Sequence, residues 1–131
     1  MNNYSEEDWR KAGYQVRNAK ITYADLSMEN YCCLTLELGL EGAGWGVCYG
    51  GHCIGKGYLG ADEFTGYEKG TEYLMRIMDV VGVSKFNDMV GKYVRVVTQG
   101  WGGKVTVIGN ILKDHWFDSE DFFSEGGAKN E

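Results

Sequence analysis

The chain has 131 residues, enough for one compact domain and not two, because two independent cores would need roughly 100 or more residues each. Its 13 Lys and Arg against 19 Asp and Glu leave a net charge of −6, which repels a phosphate backbone and argues against nonspecific binding of DNA or RNA. Hydrophobic residues at 44% and aromatics at 14% exclude wholesale disorder.

Ser5 followed by Asp8 forms a capping box that starts a short helix through Trp9 and Lys11, which Gly13 ends. From Tyr14 to Tyr23 the alternation is weak but amphipathic, and it predicts a first strand. The second strand is clearer, with Cys32, Leu34, Leu36, Leu38 and Leu40 on one parity and Tyr31, Cys33, Thr35 and Glu37 on the other. Glu41-Gly42-Ala43-Gly44 then turns the chain into a third strand, Trp45 to Tyr49, which Gly50-Gly51 breaks or bulges. Residues 55–69 are Gly-rich and acidic without a period and are expected as an exposed loop. Tyr73, Leu74, Ile77, Met78 and Val81 form a helical stripe stopped by Gly82, and residues 83–89 make a second short helical turn. Lys92 to Gln99 and Lys104 to Ile111, joined by Gly100-Trp101-Gly102-Gly103, give the strongest hairpin signal, and the tail from Ser124 has nothing to bury. The order predicts an α+β domain over residues 1–123, an antiparallel β-sheet with one main packed helix, followed by a flexible tail at 124–131.

No run approaches the ~20 apolar residues of a membrane helix, and Met1 to Glu7 lacks the features of a signal peptide, so a soluble cytosolic protein is expected. Cys32 and Cys33 are neighbours whose side chains should diverge, a poor start for a disulfide or a metal cage. Cys48-x3-His52-Cys53 matches no standard zinc spacing, and no metal or cofactor is expected.

Catalytic signals are sparse. His52 and His115 lie in no Ser-His-Asp order or metal motif, and Gly46 to Gly51 lacks the Gly-Lys-Ser/Thr ending and following helix of a phosphate loop. Aromatic faces and cations remain. Trp45, Tyr49, Phe86, Trp101, Trp116 and Phe117 can stack on a base, and Arg76, Arg95 and Lys113 can meet phosphates. Each has a plain alternative. Arg76 can pair with Glu72 one turn back, Arg95 can pair with an acid across the sheet, Phe86 can anchor the short helix, and Trp116-Phe117 can plug a sheet edge.

Six segments carry a resemblance: Asn18 to Ile21, Leu34 to Leu38, Tyr49-Gly50-Gly51, Gly70 to Val83, Gly91 to Val96, and Ile108 to Phe117. In this order and spacing, over about residues 14–123, the chain resembles the Thoeris anti-defence protein 1 family of phages and prophages. The resemblance implies a non-enzymatic sponge in the cytoplasm of an infected bacterium, a homo-oligomer of dimers built into hexamers. It would hold cyclic ADP-ribose-type signals between protomers, and some members also hold cyclic di- or trinucleotides. The implied ligand contacts are Phe86, on adenine, with Arg76, Arg95 and Lys113 on the pyrophosphate; Tyr49, Met75 and Trp116 complete the candidate set. The chain departs from the family pattern at 24–31 and in a longer 55–69 segment. Two rival readings are an acidic phage inhibitor that masks a basic host surface, which a clustered negative stripe would favour, and a hydrolase of the same signals.

Overall fold

The computed structural model describes residues 4–99 and 105–124; the Gly100–Gly103 turn, Trp101 among it, and the tail 125–131 lie outside the described residues. Helix α1 (Glu6–Lys11) starts where the sequence places it: the Ser5 N–H donates to the Asp8 carboxylate at 2.9 Å, and the Asp8 N–H donates to the Ser5 hydroxyl. These two bonds satisfy donors that a helix start otherwise leaves unpaired.

The chain then forms β1 (Gln15–Asn30), β2 (Cys33–Gly42), β3 (Trp45–Lys56), β4 (Thr65–Gly66), α2 (Glu68–Val81), a 3-10 helix at Phe86–Met89, β5 (Tyr93–Thr98), β6 (Val107–Asn110), β7 (Trp116–Asp118) and α3 (Ser119–Ser124). The seven strands lie in one antiparallel sheet in the order β4-β3-β2-β1-β5-β6-β7. A bridge between Tyr49 of β3 and Val105, just before β6, curls the sheet on itself. The α+β antiparallel expectation is met.

Strand β1 is longer than its alternation suggests. It runs past Tyr23 to Asn30 because Ala24 to Ser27 pair with Leu38 to Thr35 of β2, so backbone bonding carries the strand where side-chain patterning has faded. The link to β2 is a two-residue turn with both residues left-handed, Tyr31 at φ 52° and Cys32 at φ 63°, which removes Cys32 from the strand. Gly50-Gly51 bulges β3 without ending it; Gly50 has φ 118°, and a Cβ there would run into the Leu36 carbonyl.

Two apolar layers cover the two faces of the sheet. On the inner face Tyr73, Ile77 and Val80 of α2 pack against Ile21, Leu36, Leu38, Leu40, Val94, Val96 and Ile108. The predicted stripe buries as expected, although α2 begins at Glu68, inside the segment expected as loop. Gly82, left-handed at φ 92°, closes the helix with its N–H on the Met78 carbonyl at 2.8 Å. On the outer face Trp9 of α1 packs with Val16, Val97, Val107 and Trp116.

Two further differences concern the C-terminal third. Trp116 and Phe117 do not plug an edge; they are the edge strand β7, with Gly109 opposite Trp116 and Ile108 opposite Phe117. Gly109 admits the Trp116 ring directly over its Cα, where any Cβ would clash. After β7 comes α3, which the sequence reading did not anticipate; its Phe122 and Phe123 complete the inner core.

Candidate functional site

Arg95 organises the outer face. It leaves β5 beside Gly109 of β6, which faces Trp116 of β7, and its guanidinium lies 4.5 Å from the Trp116 ring centroid. Only 11% of the side chain is exposed. Its Nε donates to the Asn110 carbonyl at 2.8 Å, Nη1 to Glu6 at 2.8 Å, and Nη2 to the Lys113 carbonyl, with Asp114 at 3.5 Å. The Arg95 bond, then Arg10, hold the Glu6 carboxyl below its usual range. Arg95 therefore joins three elements: the start of α1, the end of β6 and the loop before β7.

That loop, residues 111–115, is fixed from both ends. The Asn110 amide donates to the Val80 carbonyl at the end of α2 at 2.9 Å, while its side-chain oxygen accepts from the N–H groups of Leu112 and Lys113 at 2.9 and 3.0 Å. Asp114 accepts the Glu6 N–H, and His115 meets Asp79 of α2 at 2.6 Å. The loop's outward groups are Leu112, which is 87% exposed, Lys113 and His115.

The seven candidate residues do not converge on one cavity. Arg95 and Trp116 stack, and Arg95 holds the backbone of Lys113. Arg76 pairs with Glu72 at 2.7 Å, one helical turn back as the plain alternative has it, and lies over Phe122 at 5.8 Å. Met75 is 64% exposed beside it. Phe86 is half-buried against the inner core. Tyr49 is 1% exposed within that core, and burial pushes its phenol well up.

Cavities lie elsewhere among the described residues. An apolar one of about 230 Å³ is lined by Leu34, Ile54, Phe64, Leu74 and neighbouring glycines. A larger groove of about 610 Å³ lies on the outer face among Trp9, Tyr14, Gln99, Thr106, Asp118, Glu120 and Asp121, and a second lobe of about 430 Å³ adds Tyr4 and Asp8. Burial raises the Asp118 carboxyl, the Asp121 and Glu120 charges add to that, and the Asp121 N–H bonded to it at 3.1 Å opposes them. Sequence reading missed this groove because four separate segments build it.

The cysteines need a correction. Cys33 and Cys53 form a disulfide across β2 and β3, with Cα atoms 5.4 Å apart. Cys33 shares a strand face with Thr35, and a register shift puts Cys53 opposite Thr35, so a bulge brings together two thiols that adjacency arguments about Cys32 and Cys33 set apart. Cys53 is thereby removed from any thiolate set with Cys48 and His52, whose ring lies 4.4 Å from that of Phe123. Among the described residues no group of three His, Cys, Asp or Glu side chains is placed to hold a metal, and no helix is long and apolar enough to cross a membrane.

No protein-family model matches the chain, and neither does any curated protein or solved structure.

Proposed function

We propose that the chain is a non-catalytic binding protein that sequesters cyclic ADP-ribose-type immune signals, works as a homo-oligomer and acts in the cytoplasm of an infected bacterium. The observation that carries this reading is the clamped loop 111–115. Asn110 and Arg95 fix its backbone, so Lys113 and His115 stand outward on a rigid mount beside the end of α2. Sequestration rewards such pre-organisation, because a loop ordered in advance loses less entropy when it grips a phosphate. Phe86 offers the part of its ring that the core leaves uncovered to a base. Arg95 serves as the support of the mount, since its donors are engaged within the chain.

Exposed apolar side chains, Leu59, Phe64, Met75 and Leu112 among them, supply surface for contact between protomers. In a reducing cytoplasm Cys33 and Cys53 are held as thiols, and the β2–β3 ladder keeps the hairpin together without their bond.

Incubation with a cyclic ADP-ribose isomer, removal of unbound ligand, denaturation and mass spectrometry of the released small molecule test the reading. Intact ligand is expected, and Lys113→Glu lowers retention at least roughly tenfold, in line with exchanging an attractive charge–phosphate hydrogen bond for a repulsive one. Phe86→Ala weakens binding by about 1 kcal/mol or more. Failure to retain any cyclic nucleotide, or release of a hydrolysed product, overturns it.

A further inference from the structure

Strand β1 is paired along both edges for only part of its length. Residues 15–20 bond β5; the Ile21 N–H then donates to the Lys92 carbonyl and the Ile21 carbonyl accepts from Gly91, at 2.8 Å each. From Thr22 onward β1 is laddered to β2 alone among the described residues. The alternation of an antiparallel ladder tells which groups are left over. The Leu36 carbonyl points to Gly50 of β3, so the Leu26–Leu36 pair carries no bonds between β1 and β2. The N–H and C=O of Leu26, and of Ala24 two residues back, therefore point away from the sheet. A groove of about 450 Å³ runs along this edge, lined by Asp25, Leu26, Ser27, Met28 and Glu29 and, from across, by the exposed Leu59. Consecutive strand residues alternate between faces, so a groove that touches all five follows the edge itself. The other edges are guarded. Strands β4 and β7 have two and three residues, and the open side of β3 is interrupted by the Val105 bridge and bent by the Gly50-Gly51 bulge. Residues 22–30 carry neither the lysine nor the proline that blunts an edge.

An unpaired edge takes up an extended segment by strand addition, and the sequence selects the segment. Paired antiparallel with itself about Leu26, the edge sets Leu26 on Leu26, Ala24 on Met28 and Asp25 on Ser27. That register makes an apolar seam on one face and sets no acid opposite an acid on the other. Moving its centre one residue either way sets Asp25 on Asp25, or Asp25 on Glu29, and like charges directly opposite destabilise a sheet. The same pairing carries the turn of each copy, with Tyr31 97% exposed, toward the exposed Val90 of the other, next to the residues that bond Ile21. We infer that the far half of β1 is a dimer surface, at which two copies of this chain join their sheets antiparallel about Leu26. The inference rests on the homo-oligomer of the proposed function and not on its nucleotide.

Sedimentation equilibrium over a dilution series measures the association, and amide exchange of 15N-labelled protein locates it. A concentration-dependent dimer is expected, in which the Leu26 N–H exchanges more slowly as concentration rises. The N–H groups of Asp25 and Ser27, which face β2, keep the same protection throughout. Across the diagonals Asp25 and Glu29 of both copies share one face at about 7–8 Å, so added salt tightens the pairing. Leu26→Pro removes a donor that the single chain does not use, and association falls at least roughly tenfold, the worth of the two central hydrogen bonds. Leu26→Lys keeps every backbone group but guards the edge, and it weakens association in the same direction should the proline variant fail to fold by circular dichroism. A single chain at every concentration overturns both this inference and the proposed oligomer. An oligomer whose Leu26 amide exchanges freely, or one that the folded variants leave intact, overturns this inference alone.

Discussion

Arg95 shows how one side chain becomes a structural junction. Its donors reach residues 15, 18, 19 and 89 positions away, at Asn110, Lys113, Asp114 and Glu6, so no local pattern could disclose its role. A cross-strand pairing was foreseeable from a charged residue on a strand; the carbonyl partners and the Trp116 stack were not. Arg95→Ala leaves those acceptors unanswered in a largely covered position, and a loss of about 2–3 kcal/mol in urea unfolding is expected. Glu6 lies on the other side of that junction. Its carboxyl is depressed in the folded state, so its contribution is present above the unfolded pKa of about 4.3 and disappears as pH falls through the lower folded value. Stability measured from pH 6 down to pH 2 should fall less steeply in Glu6→Gln than in the unaltered protein. Asp118 carries the opposite sign. Its carboxyl is raised by burial, so the ionised form costs stability at neutral pH and protonation relieves it. Asp118→Asn, which keeps an oxygen for the Asp121 N–H, should raise the melting temperature at pH 7 and change it little at pH 3.

Among the elements, legibility followed one-sided burial. Strand β2 and helix α2 were readable because each buries one face against one layer, so period 2 and period 3.6 survive in the sequence. The far half of β1 is covered only in part, Ala24 packing on the core while Tyr23 and Leu26 stay exposed, and adjacent Phe122 and Phe123 of α3 give no helical spacing. The β1–β2 turn is a local misfit of a different kind. Tyr31 and Cys32 both occupy left-handed backbone, a geometry that favours Asn-Gly. Replacing them as Tyr31→Asn with Cys32→Gly should stabilise the fold by about 1–2 kcal/mol, read as a rise in the urea midpoint at constant slope. The Cys33–Cys53 bond closes a separation of 20 residues, and its reduction should cost about 3 kcal/mol on a loop-entropy basis. Comparing the oxidised protein with the Cys33→Ser, Cys53→Ser variant by urea unfolding checks that figure.

At the scale of the whole molecule, the fold class followed from the run of strands around one amphipathic helix, whereas the curl did not. The bridge between Tyr49 and Val105 joins residues far apart in sequence, and neither carries a turn or pairing signal that foretells it. The candidate site was less readable than the fold. Sequence and resemblance singled out cations on the outer face and on α2, but only the structure separates those that support the loop from those that stand free of it. Subunit assembly is testable without ligand. Light scattering behind size exclusion should report a mass that is a multiple of the single chain, and substituting Leu112→Glu with Met75→Glu, both exposed apolar side chains, should lower it if those residues face a neighbouring protomer.

Strand β1 is a shared beam: residues 15–20 bond β5 on one side, and residues 20–30 bond β2. The β1–β2–β3 meander and the later α2–β5–β6–β7 portion thus meet along a strand owned by the first and completed by the second. A single protease cut in the exposed stretch 58–64 should therefore leave two fragments that stay associated under native conditions, part in denaturant and reassemble when it is removed. A split protein of this kind would report its own folding as a bimolecular reaction.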